Sequence, residues 1–124
     1  MSLLDLIIDA CGWAAVVDAR LNIDLELLPL MGRPRWVLPE GVKAELERLA
    51  QTRQGLLLDL LFSRAVVEAT NGGWTHPDDH VVHIAGTQDA AVLTVDRALK
   101  GRLMQAGIPI IEVVDGARLR KVDP

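Results

Sequence analysis

Apolar positions along the chain follow two rhythms. Short, nearly unbroken apolar runs at Leu3–Ile8, Arg35–Leu38, Ala91–Val95 and Ile108–Val114 predict buried strands. Between them, apolar residues recur at the i, i+3, i+4, i+7 spacing of one helix face. Cys11–Asp18 and Ile23–Met31 are two such stretches, the second containing Pro29. Pro39 is expected to open a third at its first position, where a missing N–H does no harm; its core stripe is Val42, Leu46 and Leu49. Gln54–Thr70 is apolar over most of its circumference and predicts one helix, either buried within the monomer or partly covered by a second protein chain. After the turn residues Asn71–Gly73, Thr75 is expected to cap a helix that contains Asp78, Val81, Val82 and Ala85 on one face. A last helix runs from Asp96 to Gln105 with Leu99, Leu103 and Ala106 inward and Gly107 just past its end. Asp115-Gly116 signals a turn, after which Ala117–Val122 forms an edge strand or a basic tail.

Strands alternating with helices predict an α/β domain with a mainly parallel sheet. Composition sharpens this. Half of the residues are apolar, but the chain has one Phe, three Trp and no Tyr, so the core must be aliphatic, which suits helices packed on buried strands. The 124 residues are expected to form one domain, 1–124, without internal repeat or linker. No apolar run approaches the roughly 20 residues that span a bilayer. No secretory signal is read at the N-terminus, and the single cysteine, Cys11, rules out an intramolecular disulfide, so a cytoplasmic protein is expected. A net charge of −4 argues against coating nucleic acid with the whole surface, but leaves room for an enzyme with an acidic, metal-loaded centre.

Four acids stand out by position. Asp9 follows the first strand and shares a helical face with Gly12, Trp13 and Val16; Glu45 falls inside the Val42–Leu49 stripe; Asp78, unlike Asp79, lies on an inner helix face; Asp96 ends a strand and begins a helix. Singly, each has an ordinary explanation as a helix cap or a surface ion-pair partner. Jointly, four inward carboxylates in one cleft repel unless cations or protons intervene. Hard divalent ions, Mg²⁺ or Mn²⁺, are the natural solution, and such ions activate water and stabilise a phosphodiester in displacement.

With these residues in place the chain resembles the PIN domain family. The carrying segments are LIID (ending in Asp9), VLPEGVKAEL (Glu45), HPDDHVVHIA (Asp78) and VLTVDRALKGRLMQAGIPII (Asp96), spanning nearly the whole chain. The similarity is closer to short archaeal and ribosomal-RNA-processing PIN proteins than to toxin nucleases of toxin–antitoxin pairs. It implies a three-layer α/β/α sandwich and a metal-dependent endoribonuclease, a hydrolase of RNA. Asp9, Glu45, Asp78 and Asp96 match the family's acidic quartet, which holds Mg²⁺ or Mn²⁺, and water is the nucleophile. Thr94 matches a supporting polar position. The chain departs from the family where Ala10 and Cys11 follow the first Asp in place of a small polar pair, and where Val95 replaces the usual Asn.

Basic residues expected at the cleft for RNA contact are Arg97, Lys100, Arg33 and Arg35, with Thr94 beside them. His76, His80 and His83 recur at helical spacing, but the outer two would lie about 10 Å apart along an axis and cannot share one zinc. The alternative to an active ribonuclease is a catalytically silent module of the same fold, acting through a homodimer across the 54–70 segment or through an antitoxin or ribosome-assembly partner. A phosphoacceptor receiver domain fits poorly, since Ile110–Val114 offers no late Lys.

Overall fold

The computed structural model describes residues 4–69 and 76–124. A six-stranded sheet of order β3-β2-β1-β4-β5-β6 organises them, and the strands are β1 (Asp5–Ile8), β2 (Trp36–Pro39), β3 (Val66–Glu68), β4 (Ala90–Leu93), β5 (Ile110–Val114) and β6 (Arg118–Val122). All neighbours are parallel except β5 and β6. The helices are α1 (Ala10–Asp18), α2 (Ile23–Met31), α3 (Glu40–Leu49), α4 (Leu58–Arg64), α5 (Pro77–Thr87) and α6 (Arg97–Gln105). Parallel connections cross over right-handedly. The helices between β1 and β3 therefore cover one face and α5 and α6 the other, the expected α/β/α layering.

The chain builds outward from β1 to β2 and β3, then returns to lay β4 on the other side of β1. Strand order thus reverses between β1 and β4. Such a switch point leaves a crevice beyond the carboxyl ends of the two strands, where open α/β sheets bind ligands. Leu6, Ile7, Ile8, Ala91, Val92 and Leu93 in these strands are all fully buried, which explains their unalternating apolar runs. Gly12 lets α1 begin close over the sheet: a Cβ there would stand 2.3 Å from the Leu93 carbonyl oxygen.

Local chemistry sets the other boundaries. Pro39 ends β2 and is the N-cap of α3, so the helix begins at Glu40, one residue later than expected. α6 ends in a Schellman motif, with Gly107 at φ 77° and hydrogen bonds from Ile108 N to Leu103 O and from Gly107 N to Met104 O. Asp115 and Gly116, at φ 56° and 60°, turn β5 into β6 as a type I′ hairpin requires.

The expectation of one helix over 54–70 is corrected. Gly55 and Leu57 adopt positive φ, so helix geometry starts only at Leu58, and β-branched Val66 and Val67 pair with β2 as a sheet edge. The breadth of the apolar pattern came from overlaying a short helix on a strand. Leu56 and Leu61 enter the core, whereas Leu57, Leu60, Val66 and Val67 are exposed, together with Leu25 and Leu28 of α2. No helix among the described residues is long and apolar enough to cross a membrane.

Candidate functional site

Asp9 occupies the N-cap position of α1 yet makes no side-chain cap bond. Its carboxylate, 5% exposed, instead accepts two hydrogen bonds on Oδ2: from the Thr94 hydroxyl (2.9 Å) and from the Cys11 thiol (3.0 Å). Thr94, fully buried, also accepts from the Asp96 N–H at 3.2 Å, so one hydroxyl fixes the two strand-end acids relative to each other. Asp96 caps α6, its Oδ1 accepting from Leu99 N at 3.0 Å.

Asp78 and Glu45 complete the ring from opposite helices. α5 begins one residue later than a Thr75 cap would place it; Thr75 lies outside the described residues, and His76 is the N-cap, its Nδ1 accepting from Asp78 N at 3.1 Å. Pro77 at the first helical position is the sequence signal for that boundary. Glu45 is not turned into the core as expected. Val42 and Leu46 are buried, while Glu45 projects from the flank of α3 into the crevice.

The four acids Asp9, Glu45, Asp78 and Asp96 line one cavity of about 360 Å³ at the switch point, together with Cys11, Pro77, Arg48 and His76. Desolvation, then the charges of Asp9 and Asp78, raise the Glu45 carboxyl above its ordinary value. Asp78 is raised likewise, by desolvation and then by Asp9, with Asp96 adding to it and His76 opposing. Burial first, then the Asp9 charge, pushes the Cys11 thiol up, which keeps it protonated as a hydrogen-bond donor. Among the described residues, no group of three or more His, Cys, Asp or Glu side chains is placed so that it could hold a metal ion as it stands. The donor set is nonetheless one of hard oxygens under mutual repulsion, which fits a hydrated divalent cation better than a closed protein cage.

The other expected contacts fare differently. Thr94 is a buried support and is not open to a substrate. Lys100 points away, its Nζ 2.7 Å from Glu112 Oε2. Arg33 and Arg35 precede β2 and stand at the opposite end of the sheet: Arg35 pairs with Asp5 at 2.8 Å at the start of β1, and Arg33 lines a separate cavity with Asp24 and Arg64. Their order before a strand, rather than after one, was the signal against them. Arg97 starts α6 beside Asp96 and is exposed. Sequence reasoning missed Arg48 and His76, the two nitrogen-bearing side chains on the cavity. Arg48 sits three residues after Glu45 on α3, and His76 is marked by the Pro that follows it.

Fold and site together define a doubly wound α/β protein with an acidic crevice at its switch point. The family model for the PIN like domain matches residues 6–115, and the chain belongs to that family. Among solved structures it is similar to the PIN domain endonuclease Utp24, at 22% identity and a TM-score of 0.79, covering 97% of this chain and 92% of that one. No curated protein matches the sequence.

Proposed function

We propose that the protein is a metal-dependent endoribonuclease that hydrolyses RNA phosphodiester bonds. The carrying observation is the convergence of four carboxylates from four separate elements on one cavity at the carboxyl ends of β1 and β4. Membership of the PIN-like family and a fold shared with a PIN domain endonuclease support a nuclease-type function. Asp9, Glu45, Asp78 and Asp96 would hold Mg²⁺ or Mn²⁺, which supplies a polarised water and neutralises charge on the phosphodiester.

The chain's own residues prepare that site. Thr94 and Cys11 orient the Asp9 carboxylate and leave Oδ1 without a hydrogen bond among the described residues. Asp96 is pinned through Oδ1 by the α6 backbone. Cys11 thus takes the supporting role of the polar residue expected after the first Asp. Arg48 and His76 line the same cavity and are placed to donate hydrogen bonds to phosphate oxygens.

Asp96→Asn tests the reading, because Asn caps a helix as well as Asp does. Cleavage of RNA in Mg²⁺ or Mn²⁺ should be lost with the fold intact, and equal cleavage by the variant would sink the assignment. A second reading, a contact surface for another copy or a partner, is favoured by the exposed Leu57, Leu60, Val66 and Val67 at the β3 edge. Sedimentation should then show a dimer that Leu57→Ser with Leu60→Ser dissociates; a monomer at all concentrations removes the homodimer.

A further inference from the structure

A second, wider groove opens directly from the acidic cavity. It runs between α1 and α3, has a volume of about 700 Å³, and shares Cys11, Glu45 and Arg48 with the acidic cavity. Its floor and walls are apolar: Ala14 and Ala15 from α1, Leu49 from α3, and Val95 just after β4. Val95 is one of the positions where the sequence departs from its family, and here it contributes apolar surface to the groove. Asp18 stands at the rim, but its carboxylate is engaged by Arg53. Arg48 forms no ion pair among the described residues. One cation therefore stands at the junction between a carboxylate cavity and an apolar trough.

We infer that this α1/α3 groove receives an unpaired nucleotide adjoining the scissile phosphate, its base against Ala15, Leu49 and Val95 and its phosphate on Arg48. The inference rests on the RNA reading above and deepens it, committing the substrate to be single-stranded next to the cut. A duplex would present phosphates and sugar edges to the groove, which an apolar wall cannot satisfy. An unstacked base presents a flat, weakly polar face, and Arg supplies both a charge for phosphate and a plane for stacking. Continuity with the acidic cavity sets the distance along the strand: the groove begins where the catalytic acids end.

Ala15 is half-buried on the open side of the groove, so a large side chain there fills the trough without entering the core. The test measures binding of a labelled single-stranded RNA by fluorescence anisotropy in Ca²⁺, and its cleavage in Mn²⁺, for wild type, Ala15→Trp, Ala15→Ser and Arg48→Gln. Thermal melting verifies that each variant is folded. Ala15→Trp should weaken binding by roughly fivefold or more, about the loss of one base's contact, and Ala15→Ser should weaken it less. Arg48→Gln should weaken binding and flatten its salt dependence. Replacing the base next to the cut by an abasic site should weaken wild-type binding but leave Ala15→Trp unchanged. If folded Ala15→Trp binds and cleaves as wild type does, the groove inference is overturned and the nuclease reading stands, the groove being left for a protein ligand. If wild type binds RNA in a groove-dependent way but never cleaves it, the nuclease reading fails and the groove stands. Wild type that neither binds nor cleaves RNA overturns both.

Discussion

Asp9 and Glu112 are buried to the same degree, 5% and 6% exposed, the first just past β1 and the second within β5 of the same sheet, and their surroundings are opposite. Glu112 on β5 is met by cations on both sides: Lys100 of α6 at 2.7 Å and Arg120 of β6, whose Nε lies 3.1 Å from Oε1. The Lys100 hydrogen bond above all, with Arg120 adding to it, holds its carboxyl below the ordinary value. Asp9 receives only neutral donors, a hydroxyl and a thiol, and shares its cavity with three further acids, against which stand only Arg48 and His76 among the described residues. Depth of burial therefore does not separate a carboxylate that the fold neutralises from one that we propose to hold a metal ion. What separates them is whether the fold supplies the opposing charge or leaves it to be supplied from outside.

The sharpest way to break the contrast is to exchange the readouts. Asp96→Asn should abolish cleavage while melting at or slightly above the wild-type temperature, because it removes one of four repelling charges and keeps the cap. Glu112→Gln should do the reverse, costing about 1–2 kcal/mol of stability. The cost stays below that of a fully buried pair because Arg120 is 60% exposed and can be rehydrated. The folded Glu112→Gln fraction should cleave at the wild-type rate. Loss of activity in both variants at unchanged stability would erase the distinction.

A smaller effect probes how Asp9 is held. Cys11→Ala removes one of its two donors and should lower the cleavage rate by roughly 10- to 100-fold, the usual loss for a group that orients a metal ligand. Cys11→Ser keeps a donor at nearly the same place and should retain most activity. Equal rates for all three proteins would mean that Thr94 alone suffices.

How far the sequence foretold this depended on whether a residue's role is local. Asp9, Asp78 and Asp96 were legible because strand ends and helix starts are written in short-range pattern, and a parallel sheet carries strand ends to one side. The resemblance of the four segments to a known family did the rest. Glu45 was identified as an acid of the site but assigned the wrong orientation, since a helical wheel cannot distinguish a core face from the flank that borders a crevice. Arg33, Arg35 and Lys100 were misplaced for a related reason: which end of the sheet a loop occupies, and which partner a lysine finds, depend on strand order. The Lys100–Glu112–Arg120 cluster links a helix and two strands, and no periodicity within any one of them announces it. The 54–70 helix failed because apolar density alone does not reveal a backbone break at Gly55 and Leu57.

The smallest effect separates the two regions by sign. Glu112, held low, stabilises the fold above the unfolded carboxyl pKa, and this contribution is lost as pH falls through its folded value. Glu45 and Asp78, held high, do the opposite: protonated they cost nothing, and the fold loses stability as pH rises from the ordinary carboxyl range through their raised values. Without divalent metal, Tm between about pH 4 and about pH 8 should therefore carry a falling component on its alkaline side, relative to a Glu45→Gln, Asp78→Asn double variant. Both side chains reach solvent in the cavity, so screening limits the difference to a fraction of a kilocalorie per mole. Mg²⁺ should cancel the fall in the wild type and move the double variant, which keeps only Asp9 and Asp96, less, because a cation that neutralises the cavity stabilises in proportion to the charges present. The same difference with and without Mg²⁺ would show that the repulsion among these carboxylates is relieved by the protein itself, and the contrast with Glu112 would collapse.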